Sequence, residues 1–172
     1  MEQAPRAEVV RTCDAHHTGV GFGGVTAEAQ RQALRVGPLS LGGLRTVEPG
    51  QLPELRAGQQ RAYPLESIAV IDAGAVVTIA VPASERRFVG LIYDQDKFRA
   101  DGRYRVRDLD RVVRFEACKD PNFNHGRSQY DGGVVVAGRR CFHLDFWTGP
   151  RSRRVRRTIP PGRRCLPGGA MP

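Results

Sequence analysis

From position 68 onward, apolar residues fall in short runs separated by turn residues. Ile68-Ala69-Val70-Ile71 stops at Asp72-Ala73-Gly74, and Val76-Val77-Thr78-Ile79-Ala80-Val81 stops at Pro82-Ala83-Ser84-Glu85. Phe88-Val89-Gly90-Leu91-Ile92-Tyr93 then gives way to a polar stretch. Runs this short, rich in β-branched residues and bounded by Gly, Pro and Asp, predict strands. The second and third carry so little polar side chain that both of their faces must be covered, which predicts central strands of two packed sheets with the edges elsewhere. After Asp101-Gly102, a turn pair, Arg103-Tyr104-Arg105-Val106-Arg107 alternates and predicts a half-buried strand with Tyr104 and Val106 inward. The run from Val112 to Cys118 alternates likewise, with Val113, Phe115 and Ala117 inward, and Val134-Val135-Val136, Phe142 to Trp147 and Val155 to Ile159 complete the set.

Upstream the signal weakens. Residues 1–30 show no sustained period and include Gly19-Val20-Gly21-Phe22-Gly23-Gly24, which reads as an irregular N-terminal arm. Residues 27–35 have helix-forming composition but run into Val36-Gly37-Pro38-Leu39-Ser40-Leu41. With Leu34 and Val36 on one side, a single strand is expected over about 32–41, bulged at Gly37-Pro38. The pattern as a whole predicts an all-β fold: a two-sheet antiparallel β-sandwich of about eight strands over residues 31–165, with flexible termini and a disordered tail over 166–172. A chain of 172 residues can bury one real core but is short for two domains and a linker. No apolar run approaches the roughly 18 residues that span a bilayer.

The net charge of +9 looks like a nucleic-acid signal until it is located. From Arg139 to the end there are nine arginines and a single acid, Asp145, which leaves only +1 for residues 1–138. The excess therefore belongs to the C-terminal part, where Arg151, Arg153, Arg154, Arg156 and Arg157 form a stripe able to contact an anion. Only Lys97 and Lys119 are lysines, a bias that GC-rich coding alone would produce. The stripe lacks the interleaved aromatics on which single-stranded nucleic acid stacks, so nucleic acid is not the expected partner. An envelope polymer, lipid headgroups or an acidic protein fit better.

The four cysteines, Cys13, Cys118, Cys141 and Cys165, are widely spaced, with no C-x-x-C or zinc-ligand pair. Disulfides are the remaining role if the compartment is oxidising. The start Met1-Glu2-Gln3-Ala4-Pro5-Arg6 shows no export signal, so the expectation is an extracytoplasmic protein whose signal lies outside this chain; the alternative is a cytoplasmic protein with free thiols. Cys118 ends one predicted strand and Cys141 opens a later one, and as antiparallel neighbours they would bridge. Cys13 would then pair with Cys165, and Cys141 with Cys165 is the main rival arrangement.

Four constellations carry possible chemistry. Cys13-Asp14-Ala15-His16-His17 concentrates metal-binding types but lacks fixed spacing, and no metal site is expected there. Cys141, His143 and Asp145 alternate on one strand face about 7 Å apart, beyond hydrogen-bond reach, and form no catalytic set. Asp94, Asp96 and Asp101-Gly102 fail the calcium-loop template. Trp147, Tyr130 and Phe123, near the arginines in sequence, could stack on sugar rings or pack in the core. No P-loop, G-x-S-x-G, H-E-x-x-H or dinucleotide fingerprint occurs, and neither a catalytic residue nor a cofactor is expected.

The succession Val76-Val77-Thr78-Ile79-Ala80-Val81-Pro82, Val89-Gly90-Leu91-Ile92-Tyr93-Asp94, Val113-Arg114-Phe115-Glu116-Ala117-Cys118 and Gly132-Gly133-Val134-Val135-Val136-Ala137-Gly138 with Cys141 resembles exported β-sandwich proteins of GC-rich actinobacteria that have no assigned activity. The likeness covers about residues 34–165 and implies export behind an N-terminal signal or anchor, but no catalytic residue. The sequence thus predicts an exported or cell-envelope binding or structural module that is not an enzyme. Two alternatives remain: a cytoplasmic basic protein that contacts nucleic acid through the arginine stripe, and an enzyme whose site is assembled from residues distant in sequence.

Overall fold

The computed structural model describes residues 3–15, 33–44, 62–99, 102–120, 123–138 and 140–160. Among these the fold is all-β, with twelve strands in three sheets and short 3-10 turns but no α-helix. The strands are β1 (Val9–Arg11), β2 (Leu34–Val36), β3 (Leu39–Leu41), β4 (Ala62–Glu66), β5 (Ala69–Asp72), β6 (Val76–Ala80), β7 (Val89–Ile92), β8 (Val112–Glu116), β9 (Arg127–Tyr130), β10 (Gly133–Ala137), β11 (Phe142–Trp147) and β12 (Val155–Ile159). A five-stranded sheet has the order β1-β8-β6-β11-β12, a three-stranded sheet the order β4-β10-β7, and a four-stranded sheet the order β2-β3-β5-β9. The two-sheet sandwich of eight strands is therefore corrected to three sheets and twelve strands.

Several elements depart from the sequence reading for identifiable reasons. Gly37 adopts φ 56, and the chain reverses there instead of bulging. Residues expected as one strand thus become the hairpin of β2 and β3, with Leu34 opposite Leu41 and Val36 opposite Leu39. Within the expected irregular arm, Val9–Arg11 pairs with β8 in parallel, Val9 opposite Val113. Arg103–Arg107 is not a strand: Tyr104 makes a single bridge to Ala62, and Val106–Asp108 is a 3-10 turn. Tyr104 and Val106 nevertheless face inward as expected, because with Leu109 they cover the outer side of the three-stranded sheet at Ile92, Val135 and Ala137.

That cover explains the fully apolar runs. On the inner side, residues of all three sheets share one core, including Leu41, Leu65, Ile71, Ile79, Leu91, Val113, Phe115, Val136, Leu144 and Phe146. Strand β6 is central, as expected. Strand β7 is an edge of its sheet, yet all four of its residues are buried, because Asp110 bridges Leu91 along that edge. A third cluster of Ala80, Val112 and Trp147 lies on the outer face of the five-stranded sheet, with Ala4 and Ala7 packed against it.

The cysteine pairing also differs from the expectation. Cys13 and Cys118 form a disulfide, and Cys141 is disulfide-bonded too. Cys118 cannot reach Cys141 because β6 lies between their strands. Since β8 and β11 are each antiparallel to β6, they run in the same direction. The end of β8 and the start of β11 therefore sit at opposite ends of the sheet. Strand β1, parallel to β8, instead brings Cys13 to the end where Cys118 emerges. The expected Cys13–Cys165 bridge is excluded with it, and Cys165 and the tail over 166–172 lie outside the described residues.

Candidate functional site

The arginine stripe occupies β12 and the turn before it. Pairing with β11 sets Arg156 directly opposite Asp145, which is 4% exposed. Arg156 grips this carboxylate with both arms of its guanidinium, Nε to Oδ1 at 2.7 Å and Nη2 to Oδ2 at 2.9 Å. Arg154 adds a longer contact of 4.0 Å to Oδ2. The one acid of the C-terminal segment is therefore committed to holding β12 on β11, and it ties up two of the five stripe arginines. Arg151, Arg153 and Arg157 are exposed, and none of them meets an acid among the described residues. Among the described residues β12 is the outermost strand of its sheet; Arg157 lies on it, and Arg151 and Arg153 lie in the turn before it.

The other sequence candidates do not assemble into a reactive set. Cys141 is oxidised, His143 Nδ1 lies 2.8 Å from Glu85 Oε1, and Asp145 is held by Arg156, so the three alternating residues face three different partners. Asp94 caps a 3-10 turn by accepting from the Asp96 backbone N–H at 3.1 Å, and Asp101 lies outside the described residues. Cys13–Ala15 forms a 3-10 turn, while His16 and His17 lie outside the described residues. No group of three or more metal-ligating side chains occurs among the described residues. Trp147 is buried against Ala80 and Val112. Tyr130 is buried beside Phe115, its hydroxyl donating to the Glu116 carbonyl at 2.9 Å. For both rings core packing, not a stacking surface, is the outcome; the Phe123 side chain lies outside what is described.

Three features were not legible beforehand. Asp110, 2% exposed, pairs through Oδ1 with the Lys97 ammonium, while its Oδ2 has no partner. Burial raises its carboxyl above the ordinary carboxylate range, and Lys97 opposes that rise. A small groove of about 100 Å³ lies on the outer face of the four-stranded sheet, between Arg35, Ser40, Val70 and the Asp72–Arg127 ion pair. Just before β7, Arg87 and Arg140 both lie over the Phe88 ring, with guanidinium carbons 4.4 and 3.4 Å from the ring centroid. Arg87 and Phe88 are adjacent, but Arg140 reaches the ring only because the Ala137 backbone N–H donates to the Phe88 carbonyl at 2.7 Å, drawing the end of β10 against it.

No family model matches the chain, and no curated protein or solved structure matches it either.

Proposed function

We propose that this chain is a non-catalytic binding module of the extracytoplasmic space, whose C-terminal strand meets an anionic envelope polymer or lipid headgroups. The observation that carries the reading is the division of labour among the stripe arginines: Asp145 engages Arg156 and, at 4.0 Å, Arg154, while Arg151, Arg153 and Arg157 stay exposed without an acid among the described residues. If all five served only to keep an edge strand from pairing with other chains, charge alone would suffice. A partner with negative charge uses the same three cations as contacts. Export is supported by the Cys13–Cys118 disulfide, since such bonds persist in oxidising compartments. Trp147 and Tyr130 are buried, so they offer no stacking surface for the sugar rings of a polymer, and the reading rests on the arginines alone.

The test is co-sedimentation with vesicles of phosphatidylglycerol and phosphatidylcholine. Each arginine near an anionic surface contributes about 1 kcal/mol. The combined change Arg151→Ser, Arg153→Ser and Arg157→Ser is therefore expected to weaken binding on the order of 100-fold, with wild-type binding falling steeply as salt rises. Wild-type protein that ignores anionic vesicles and soluble polyanions alike, or a triple variant that binds as well as wild type, overturns the reading.

A further inference from the structure

Phe88 carries two cations on one ring. Arg140 lies over it at 3.4 Å and Arg87 at 4.4 Å, so two like charges are gathered around a single benzyl group. Each contact of this kind contributes only about 0.5–1 kcal/mol at an exposed position, and mutual repulsion between the guanidinium groups works against it. The obvious counter-ion is turned away: Glu85, three residues before Phe88, directs its carboxylate to His143 at 2.8 Å. Neither Arg87 nor Arg140 has a carboxylate partner among the described residues. Arg86 adds a third charge, its Nε donating to the Val81 carbonyl at 3.3 Å. Arg111 is near enough to feel it: burial lowers the Arg111 guanidinium from its ordinary value, Glu8 opposes this, and Arg86 lowers it further.

Contact with the ring also bears on which atoms are left for a ligand. A guanidinium lying on an aromatic ring spends one flat face on that ring and keeps its in-plane N–H edges for acceptors. Those edges form the two-pronged forks that match the oxygens of a phosphoryl group. Phe88 is held at the turn that enters β7, its carbonyl accepting from the Ala137 backbone N–H at 2.7 Å, and Arg140 stands two residues before β11. We infer that Arg87 and Arg140, splayed on Phe88, form a binding site for a phosphoryl oxyanion, borne either by free phosphate and its monoesters or by a phosphodiester of lipid or polymer. The site uses no residue of β12, so it stands or falls independently of the arginine-strand reading.

The experiment is a titration followed at the arginine Nε–Hε resonances of the full chain, with inorganic phosphate at constant ionic strength and with phosphatidylglycerol vesicles as a second arm. Saturable shifts at Arg87 and Arg140 are expected in at least one arm. Response to inorganic phosphate identifies the free anion as the source, and response to vesicles alone identifies the phosphodiester. Arg140→Gln and Phe88→Leu, the latter keeping both charges while removing the platform, are each expected to weaken that response at least tenfold, whereas Arg127→Gln, on the four-stranded sheet, leaves it unchanged. Arg140→Gln is a change at a half-exposed position, and an unaltered amide spectrum verifies its fold. Absence of a saturable response in both arms overturns the inference. So does an equal response to chloride, or a response that survives Arg140→Gln.

Discussion

Asp145 and Asp110 are both buried carboxylates, yet their surroundings give them different consequences. Asp145 accepts two charge-assisted bonds from Arg156, so its burial is compensated and its role is to fix the register of β12. Asp110 has one partnered oxygen and one bare one, and its burial raises its pKa. The folded chain therefore holds the Asp110 proton more tightly than the unfolded chain does. The stability this contributes is complete below the ordinary carboxylate pKa of about 4 and is lost as pH rises through the folded value. Asn cannot ionise, so Asp110→Asn is expected to gain on wild type across that interval and to hold a constant advantage above it. Urea midpoints of the two proteins measured from acid to neutral pH check this, and a gap that stays fixed or moves toward wild type contradicts it. None of this was readable from the sequence, where Asp110 is one charge among Asp108, Arg107 and Arg111. Its burial comes from the bridge to Leu91, a contact between segments that no local pattern announces.

At the scale of elements, legibility followed burial on one face or two. Strands β8 and β11 show the alternation of a sheet with a defined inner side, and Val113, Phe115, Phe142, Leu144 and Phe146 all face the core as the pattern requires. The run that became β7 shows no alternation, which correctly indicated cover on both faces but not what supplies it. The cover is the 104–109 segment, and its charged alternation was mistaken for a strand because a 3-10 turn can also place Tyr104 and Val106 inward. Close approach of one backbone to another is equally silent in sequence. Gly43 has φ 86, and a Cβ there would lie 2.1 Å from the Glu66 carbonyl oxygen, where the chain after β3 meets the end of β4. Gly43→Ala adds a backbone conformation that L residues avoid to a contact that neither side can relieve. It is expected to cost at least about 2 kcal/mol, measured by chemical denaturation. A change within about 0.5 kcal/mol, typical of neutral surface positions, contradicts this account of the contact.

At the scale of the whole molecule, the wide spacing of the cysteines favoured disulfides over metal ligation but left free thiols open, and pairing depended on topology. The sequence order of Cys118 and Cys141 invites a bridge between neighbouring strands, whereas the sheet inserts β6 between them and recruits the N-terminal β1 as the partner of β8. The Phe88 corner was hidden for the same reason, since Arg87 and Arg140 meet only when β7 and β10 pair. The charge count placed the basic excess at the C-terminal part correctly, yet which arginines stay available required knowing that Asp145 lies opposite Arg156. The Cys13–Cys118 link, spanning 105 residues, ties β1, the shortest strand of the five-stranded sheet and one of its two edges, to the end of β8. A disulfide of this span is expected to stabilise the chain by about 2–5 kcal/mol.

The account turns on that link, and tryptic mapping of the unreduced protein by mass spectrometry tests it most directly. The peptide from Thr12 to Arg31 is expected joined to the peptide from Phe115 to Lys119, carrying Cys13 and Cys118, and the peptide from Cys141 to Arg151 is expected joined to that beginning at Cys165, the remaining cysteine. Both pairs should separate on reduction. Recovery of Cys118 linked to Cys141, or of four freely alkylated cysteines in folded protein, would contradict the strand order described here and remove the main support for an oxidising compartment.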